Sequence, residues 1–323
     1  MSTLTPESMV AVIGTGYMGG GIAQTFALAG HPVAVADATL EQAERAVRRL
    51  VAEGEAHEGS GLFPEGAHEA LRERLTPATV EDAASRAAYI TEAVPEQVAL
   101  KHDVLGAVSA AASPDAIIAS NTSAIPIGEL AATVTGPERF LGVHWMNPSY
   151  FVPSVEIIPT ERTDPQVATG VVDLIRAIGK VPTIVSDSPG FVANRLQFAL
   201  YKECTRMVEE GIATPDQIDE VVRNSFGFRL PFFGPFAISD IAGLDVYAGS
   251  MATMERAYGE RLAVPAVLAE HVASGRLGMK SGQGFYRHGP EDAERVRDYR
   301  DTAYARLVQV RAELADREPP LHG

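Results

Sequence analysis

Met9-Val10-Ala11-Val12-Ile13 runs straight into Gly14-Thr15-Gly16-Tyr17-Met18-Gly19, and this junction constrains the chain more than any other segment. The apolar run has the length and composition of a buried strand. Gly16 to Gly30 then reads as a helix closed by glycine. In such a junction the first glycine permits a tight turn, the second lets a pyrophosphate approach the backbone, and the third allows close helix–strand packing. The phosphate would rest on the positive N-terminus of the helix. A glycine turn alone is a weak signal, but here Asp37 ends the next apolar run, Pro32 to Asp37. A carboxylate at that position takes the adenosine ribose hydroxyls and repels a 2′-phosphate, so NAD rather than NADP is the expected cofactor.

Further apolar runs predict strands at Tyr89–Val94, Ala116–Ser120, Phe140–His144, Val152–Ile158 and Val181–Ser186, separated by helical patterns. The charged stretch Glu41–Arg86, interrupted by Gly59, Gly61 and Pro64, reads as a helical hairpin inserted into the sheet topology. Past Asp187 the pattern becomes helical. Ser188-Pro189-Gly190 reads as a helix start, Thr214-Pro215 as another whose helix Gly227 ends, and the helical pattern persists to about Leu314. The expected class is α/β: a Rossmann-type doubly wound sheet over residues 1–187, with the hairpin at about 41–86, followed by an all-helical domain over 188–323. From Asp316 onward the chain is polar and proline-containing, the composition of a frayed tail.

Composition narrows the function classes. With 27 basic and 42 acidic residues, the formal net charge of −15 repels polyanions and argues against nucleic-acid binding. The single cysteine, Cys204, excludes an intramolecular disulfide framework and fits a reducing compartment. Met1 to Ser8 lacks the pattern of a signal peptide, and no run of 18 apolar residues exists to span a membrane. A cytoplasmic location is expected.

A second constellation is Gly142-Val143-His144-Trp145-Met146-Asn147-Pro148, followed by Val155-Glu156-Ile157-Ile158. Two strands joined by a short loop could place Glu156 beside His144. An imidazole that removes a hydroxyl proton needs such a carboxylate to orient its ring and stabilise its charged form. Taken singly, a histidine at a strand end is more often packing or surface. Asn121-Thr122-Ser123 follows a strand C-terminus, the edge where open α/β sheets bind ligands, although the segment could also cap a helix before Pro126.

Taken in order, GTGYMGGGIA, EAVPEQVALK, SNTSAIPI, HWMNPSYFVPSVE, DSPGFVANR, GPFAISDIAGLD and GMKSGQGFY make the chain resemble the 3-hydroxyacyl-CoA dehydrogenase family over about residues 9–290. The resemblance implies His144 as general base, Glu156 as its orienting carboxylate, and Ser123 and Asn194 as hydrogen-bond partners of the reacting substrate oxygen. It implies cofactor binding by Gly14, Gly16, Tyr17, Met18, Gly19, Asp37, Glu96, Lys101, Ser123, Asn147 and Lys280, and requires no metal. Blander roles exist for two of these: Lys101 as a solvated helix residue, Asn194 as a local backbone cap. A homodimer formed through the helical C-terminal domain is also implied, with the apolar Phe226–Ile241 region as a contact surface.

The chain departs from the acyl-CoA pattern in two places. By register from Asp37, Glu53 and Ser60 fall where acyl-CoA enzymes carry serine and lysine contacts, and residues 53–58 are acidic. The segment from Gly227 to Pro235 is longer than the acyl-CoA type. It resembles the form in relatives acting on free hydroxy acids, such as L-carnitine dehydrogenase, L-gulonate 3-dehydrogenase (lambda-crystallin) and the dehydrogenase of vitamin B6 breakdown. Arg229 within it is a candidate for binding a substrate carboxylate. Tyr150, Phe151, Phe232 and Phe233 could wall an apolar pocket, though aromatics so placed are more often core. The expected reaction is therefore reversible NAD-linked oxidation of a small 3-hydroxy acid. A 3-hydroxyacyl-CoA dehydrogenase is the nearest alternative, and a non-catalytic NAD(H)-binding crystallin-like protein the more distant one.

Overall fold

The structure, a computed structural model, describes residues 4, 5 and 7–317. The chain divides into two compact units, Met1–Tyr201 and Lys202–Gly323.

The first unit is built on one eight-stranded sheet. Its strands are β1 (Val10–Ile13), β2 (Val33–Ala36), β3 (Leu75–Ala78), β4 (Tyr89–Glu92), β5 (Ile117–Ser120), β6 (Phe140–Trp145), β7 (Ser154–Pro159) and β8 (Val181–Ile184). They lie in the order β3-β2-β1-β4-β5-β6-β7-β8. All neighbours pair in parallel except β6 and β7, which run antiparallel. The helices of this unit are α1 (Tyr17–Leu28), α2 (Leu40–Gly59), α3 (Ala67–Arg74), α4 (Val80–Arg86), α5 (Val98–Ala111), α6 (Ile127–Leu130) and α7 (Pro165–Ala177). Helix α8 (Ala193–Glu209) carries the chain into the second unit.

Strand alternation separates two hydrophobic cores. Val10, Val12, Val33 and Val35 enter one, with Ile22, Phe26 and Leu50. Ala11, Ile13, Ala34 and Ala36 enter the other, with Leu105, Val108 and Ile118. With both faces covered, the inner strands are near-continuous apolar runs, as the sequence reads, whereas the edge strands β3 and β8 are partly exposed. The chain leaves β1 and turns away between β2 and β4, the switch point at which such sheets bind dinucleotides.

Two local expectations in the first unit are corrected. The stretch 41–86 does contain the hairpin α2–α3, but it also contains β3 and α4; β3 is a short edge strand of sequence Leu-Thr-Pro-Ala. Proline is tolerated there because an edge strand can spare a backbone donor, and the same proline hides the strand from pattern reading. Ser188-Pro189-Gly190 does not open a helix. The chain turns there, with φ of 75° at Gly190 and 47° at Phe191, and α8 begins only at Ala193.

The second unit contains α9 (Pro215–Asn224), α10 (Phe226–Arg229), α11 (Pro235–Ala242), α12 (Leu244–Tyr258), α13 (Ala266–Ala273) and α14 (Asp292–Leu314). Thr214 caps α9 with a capping box, but the helix ends at Asn224, and Gly227 lies inside α10 instead of ending α9. Phe232 and Phe233 pack on Tyr299 and Tyr304 within this unit. In the first unit, Tyr150 packs with His57, Phe63 and Phe151. Asp316 belongs to a last helical turn, Ala315–Arg317. The rest of the expected tail, and residues 1–3 and 6 of the N-terminal segment, lie outside the described residues. Among the described residues no helix is long and apolar enough to cross a membrane.

Candidate active site

The three glycines of the β1–α1 junction differ in what surrounds them. Gly14 has φ of 99°, a conformation suited to glycine, and a Cβ there would lie 2.7 Å from the carbonyl oxygen of Ala93. At Gly19 a Cβ would lie 1.9 Å from the carbonyl oxygen of Gly14, so the helix packs on the turn without room for a methyl. Around Gly16 nothing lies within 4 Å. This is the open approach a pyrophosphate needs. Gly16 is also the N-cap of α1, contributes no side-chain cap, and is followed by a first turn without acidic residues, so the helix end favours an anion. Tyr17 is exposed, while Met18 packs against the core.

Asp37 lies one residue past β2. Its carboxylate accepts hydrogen bonds from the Thr15 N–H (2.9 Å), the Thr15 hydroxyl and the Ala38 N–H (2.8 Å). Burial pushes its pKa up, but these donors outweigh that and hold it below the ordinary aspartate value. The pyrophosphate cradle and the ribose carboxylate stand on adjacent strands and fit NAD.

Beyond β4, Glu96 gathers the loop after β5. It accepts from the Thr122 hydroxyl (2.6 Å), the Ser123 N–H (2.8 Å) and the Ala124 N–H (3.1 Å), and pairs with Lys101 at 3.4 Å. Burial raises its pKa, but the hydrogen bonds and the Lys101 charge prevail and lower it. Lys101 is not a solvated helix residue. It is 1% exposed, and its ammonium donates to Glu92 (2.8 Å) and to the carbonyl of Val94 (3.1 Å). Glu92, wholly buried at the end of β4, also accepts from the Ser120 hydroxyl at 2.5 Å and the Val94 N–H at 2.7 Å. Sequence reasoning passed over Glu92, although a carboxylate inside the apolar run Tyr-Ile-Thr-Glu-Ala-Val is itself a signal, because a buried charge requires a partner. Thr122 closes a turn by accepting from the Ile125 N–H, but neither it nor Ser123 caps a helix: Pro126 is the N-cap of α6, with no side-chain cap.

His144 and Glu156 are paired directly across β6 and β7. Each is 4% exposed, and Nδ1 of His144 lies 2.9 Å from Oε2 of Glu156. The other carboxylate oxygen accepts from the N–H groups of Val192 (3.0 Å) and Ala193 (2.9 Å). Those amides are presented by the turn at Phe191, whose positive φ is uncommon for a bulky residue and whose ring lies 5.6 Å from that of His144. Burial raises the Glu156 pKa, but the His144 hydrogen bond and the two amides together hold it below the ordinary glutamate value.

Asn194, in the first turn of α8, donates from Nδ2 to the carbonyl of Ser123 at 2.9 Å. The partner lies 71 positions away, so Asn194 is not a local cap. The Ser123 hydroxyl itself makes no hydrogen bond among the described residues. Asp187 ties the same region together, accepting from the N–H groups of Ile127 (2.9 Å) and Gly128 (2.8 Å) at the start of α6. Asn147 is exposed in the loop after β6.

In the second unit, Lys280 lies in the turn Met279–Ser281 and is ion-paired with Asp245. Asp240 fixes the strand-like segment that follows. Wholly buried, it accepts from the N–H groups of Phe285 (3.0 Å) and Tyr286 (2.9 Å) and lies 2.8 Å from Nε2 of His288. Arg229 closes α10, exposed and without an ion-pair partner among the described residues.

Comparison with known proteins gives the same picture. Residues 9–188 match the family model for the 3-hydroxyacyl-CoA dehydrogenase NAD binding domain, and residues 190–288 match that for its C-terminal domain. The chain is 35% identical over 311 residues to the 5-formyl-3-hydroxy-2-methylpyridine 4-carboxylate 5-dehydrogenase of Mesorhizobium japonicum, covering 96% of this chain and 99% of that one. It is 36% identical over 278 residues to a probable 3-hydroxybutyryl-CoA dehydrogenase of Bacillus subtilis, covering 86% and 96%. Among solved structures, a 3-hydroxyacyl-CoA dehydrogenase from Archaeoglobus fulgidus matches with a TM-score of 0.79 at 30% identity, covering 94% and 99%. A 5-formyl-3-hydroxy-2-methylpyridine 4-carboxylic acid 5-dehydrogenase, described as an NAD+ dependent dismutase, matches with a TM-score of 0.69 at 34% identity, covering 97% and 100%. With a dinucleotide cradle, a ribose carboxylate and a buried histidine–carboxylate pair on one sheet, the chain belongs to the 3-hydroxyacyl-CoA dehydrogenase family and is an NAD-dependent oxidoreductase.

Proposed function

We propose that this chain reversibly oxidises the hydroxyl of a small free 3-hydroxy acid to the 3-oxo acid. The observation that carries the choice of a free acid is the surface of α2. Its C-terminal half contains Glu53, Glu55 and Glu58 and no lysine or arginine. That surface repels the phosphates of coenzyme A. The relative matching over 96% of the chain is named for a pyridine carboxylate, with no coenzyme A in that name. A second reading, a 3-hydroxyacyl-CoA dehydrogenase, is supported by the Bacillus subtilis relative.

In this reading the residues divide the work as follows. Glu156 accepts the Nδ1 proton of His144, which leaves Nε2 with the lone pair that removes the substrate hydroxyl proton. The imidazolium so formed is stabilised by a carboxylate that two backbone amides already keep ionised. Ser123 and Asn194 hold the reacting oxygen and stabilise the charge that develops on it. NAD, held by Gly14, Gly16, Tyr17, Met18, Gly19, Asp37, Glu96, Lys101, Ser123, Asn147 and Lys280, supplies the hydride acceptor. Arg229 recognises the substrate carboxylate, for which a guanidinium offers two parallel donors.

The test follows NADH formation on free 3-hydroxybutyrate and (S)-3-hydroxybutyryl-CoA, extended to carnitine and gulonate, with NADP as the cofactor control. Turnover of a free acid, and little of the thioester, is expected. A strong preference for the thioester would replace this reading with the second. On the active free acid, Arg229→Met should raise KM roughly 10- to 100-fold, the loss of a charge-assisted hydrogen-bond pair. An unchanged KM would remove Arg229 from the binding site.

A further inference from the structure

Arg49, in the third turn of α2, belongs to none of the motifs above. Its neighbours Arg45 and Arg48 pair with Glu41 and Glu44 one turn away on the same exposed helix face, contacts that contribute little. Arg49 differs. Nη1 donates to Glu53 on its own helix at 2.8 Å, while Nη2 leaves the helix and donates to the backbone carbonyl of Thr15 at 2.8 Å.

Thr15 is the residue between the first two glycines of the cradle. Its N–H and its hydroxyl both go to Asp37. Asp37 therefore holds Thr15 by its donors, and Arg49 holds it by its acceptor. The result is a continuous chain, Glu53–Arg49–Thr15–Asp37, joining α2 to the glycine turn and the ribose carboxylate. The packing of α1 makes room for it. A Cβ at Gly20 would lie 2.8 Å from Leu50 and 3.5 Å from the Arg49 guanidinium, so a larger residue there would press on this contact.

We propose that Arg49 is a positioning residue of the dinucleotide site, fixing the Thr15 peptide so that the glycine turn and Asp37 are in binding geometry before the cofactor arrives. A loop ordered in advance binds more tightly than one that must be ordered on binding. The inference rests on NAD being bound at this cradle, so wild-type NADH binding is measured first.

The experiment compares the full-length wild type with Arg49→Met and Arg49→Lys. Dissociation constants for NADH are measured by fluorescence and for ADP-ribose by calorimetry, alongside KM for NAD, kcat and Tm. Arg49→Met should weaken NADH and ADP-ribose at least fivefold and raise KM for NAD in step. The effect on kcat at saturating NAD should be under twofold. Lysine keeps one donor for the Thr15 carbonyl, so Arg49→Lys should recover at least half of the loss on a logarithmic scale. A folded Arg49→Met that binds NADH within twofold of wild type overturns the proposal, as does a fall in kcat that matches the loss in binding. If Arg49→Met does not fold, Arg49→Lys decides: Kd between twofold and fivefold above wild type supports the role, and an unchanged Kd overturns it. Absence of NADH binding by the wild type would overturn the cradle assignment instead.

Discussion

Glu156 is ionised because of what surrounds it, and the sign of its shift sets a pH dependence. Its pKa in the fold lies below the ordinary glutamate value of about 4.3, so its contribution to stability is fully present above that value and is lost as pH falls through the lower folded value. Glu156→Gln removes the ionisable group. The Tm difference between wild type and variant should be constant above about pH 5.5 and shrink below about pH 4. A constant difference down to pH 3 would show that Glu156 is not held ionised. The catalytic half of the pair is tested by His144→Gln, which should lower turnover at least ~100-fold with NADH affinity retained; comparable turnover would refute the general-base role. At this scale the sequence was most legible where chemistry and spacing coincide. His144 and Glu156 could be paired because they flank a short connection between two apolar runs. Lys101 could not be placed, because its burial depends on Glu92 and Glu96, which only the sheet edge brings around it.

Among the elements, the β1–α1 junction shows that similar residues in one motif fail for different reasons. Gly16→Ala introduces a methyl with nothing within 4 Å, at φ of −60°, so folding should tolerate it. The methyl occupies the approach of the pyrophosphate. NADH binding should weaken at least tenfold while Tm stays within about 2 °C of wild type, a shift of about 1 kcal/mol. Gly19→Ala places a methyl 1.9 Å from a backbone oxygen that has no alternative position. It should destabilise the protein by about 3 kcal/mol or more, seen as a large loss of Tm. If Gly16→Ala binds NADH normally, the open face of the turn is not the pyrophosphate site. Strands and helices with both faces in the core were legible from their apolar runs, as β1, β2, β4 and β5 show. β3 was not, because an edge strand of four residues with a proline carries no period. Nor was the turn before α8, where a buried phenylalanine adopts φ of 47° that no local preference suggests.

For the molecule as a whole, the two units differ in how well they bury their own apolar surface. The first covers both faces of its sheet from β2 to β7, leaving the edge strand β8 exposed at Val181 and Ile184. In the second, among the described residues, Ile218, Ile238, Leu244, Leu268 and Ala303 are the only buried apolar side chains. Val221, Phe226, Leu230, Phe236, Val246 and Val267 are exposed, and α8 buries none of its residues. A helical unit of this length ordinarily needs a larger core to offset its ordering entropy. We propose that a second copy of the chain completes it, forming a homodimer through the helical unit, since two-fold self-association is the commonest closed assembly. Sedimentation equilibrium should give twice the chain mass at micromolar concentration. Phe236→Glu puts a charge in the Phe226–Ile241 region identified from the sequence. It should shift the equilibrium to the single chain and lower Tm, because monomer stability and association are then linked by mass action. A wild type that sediments as a single chain with its full Tm would show that the helical unit is stable with its apolar side chains in water.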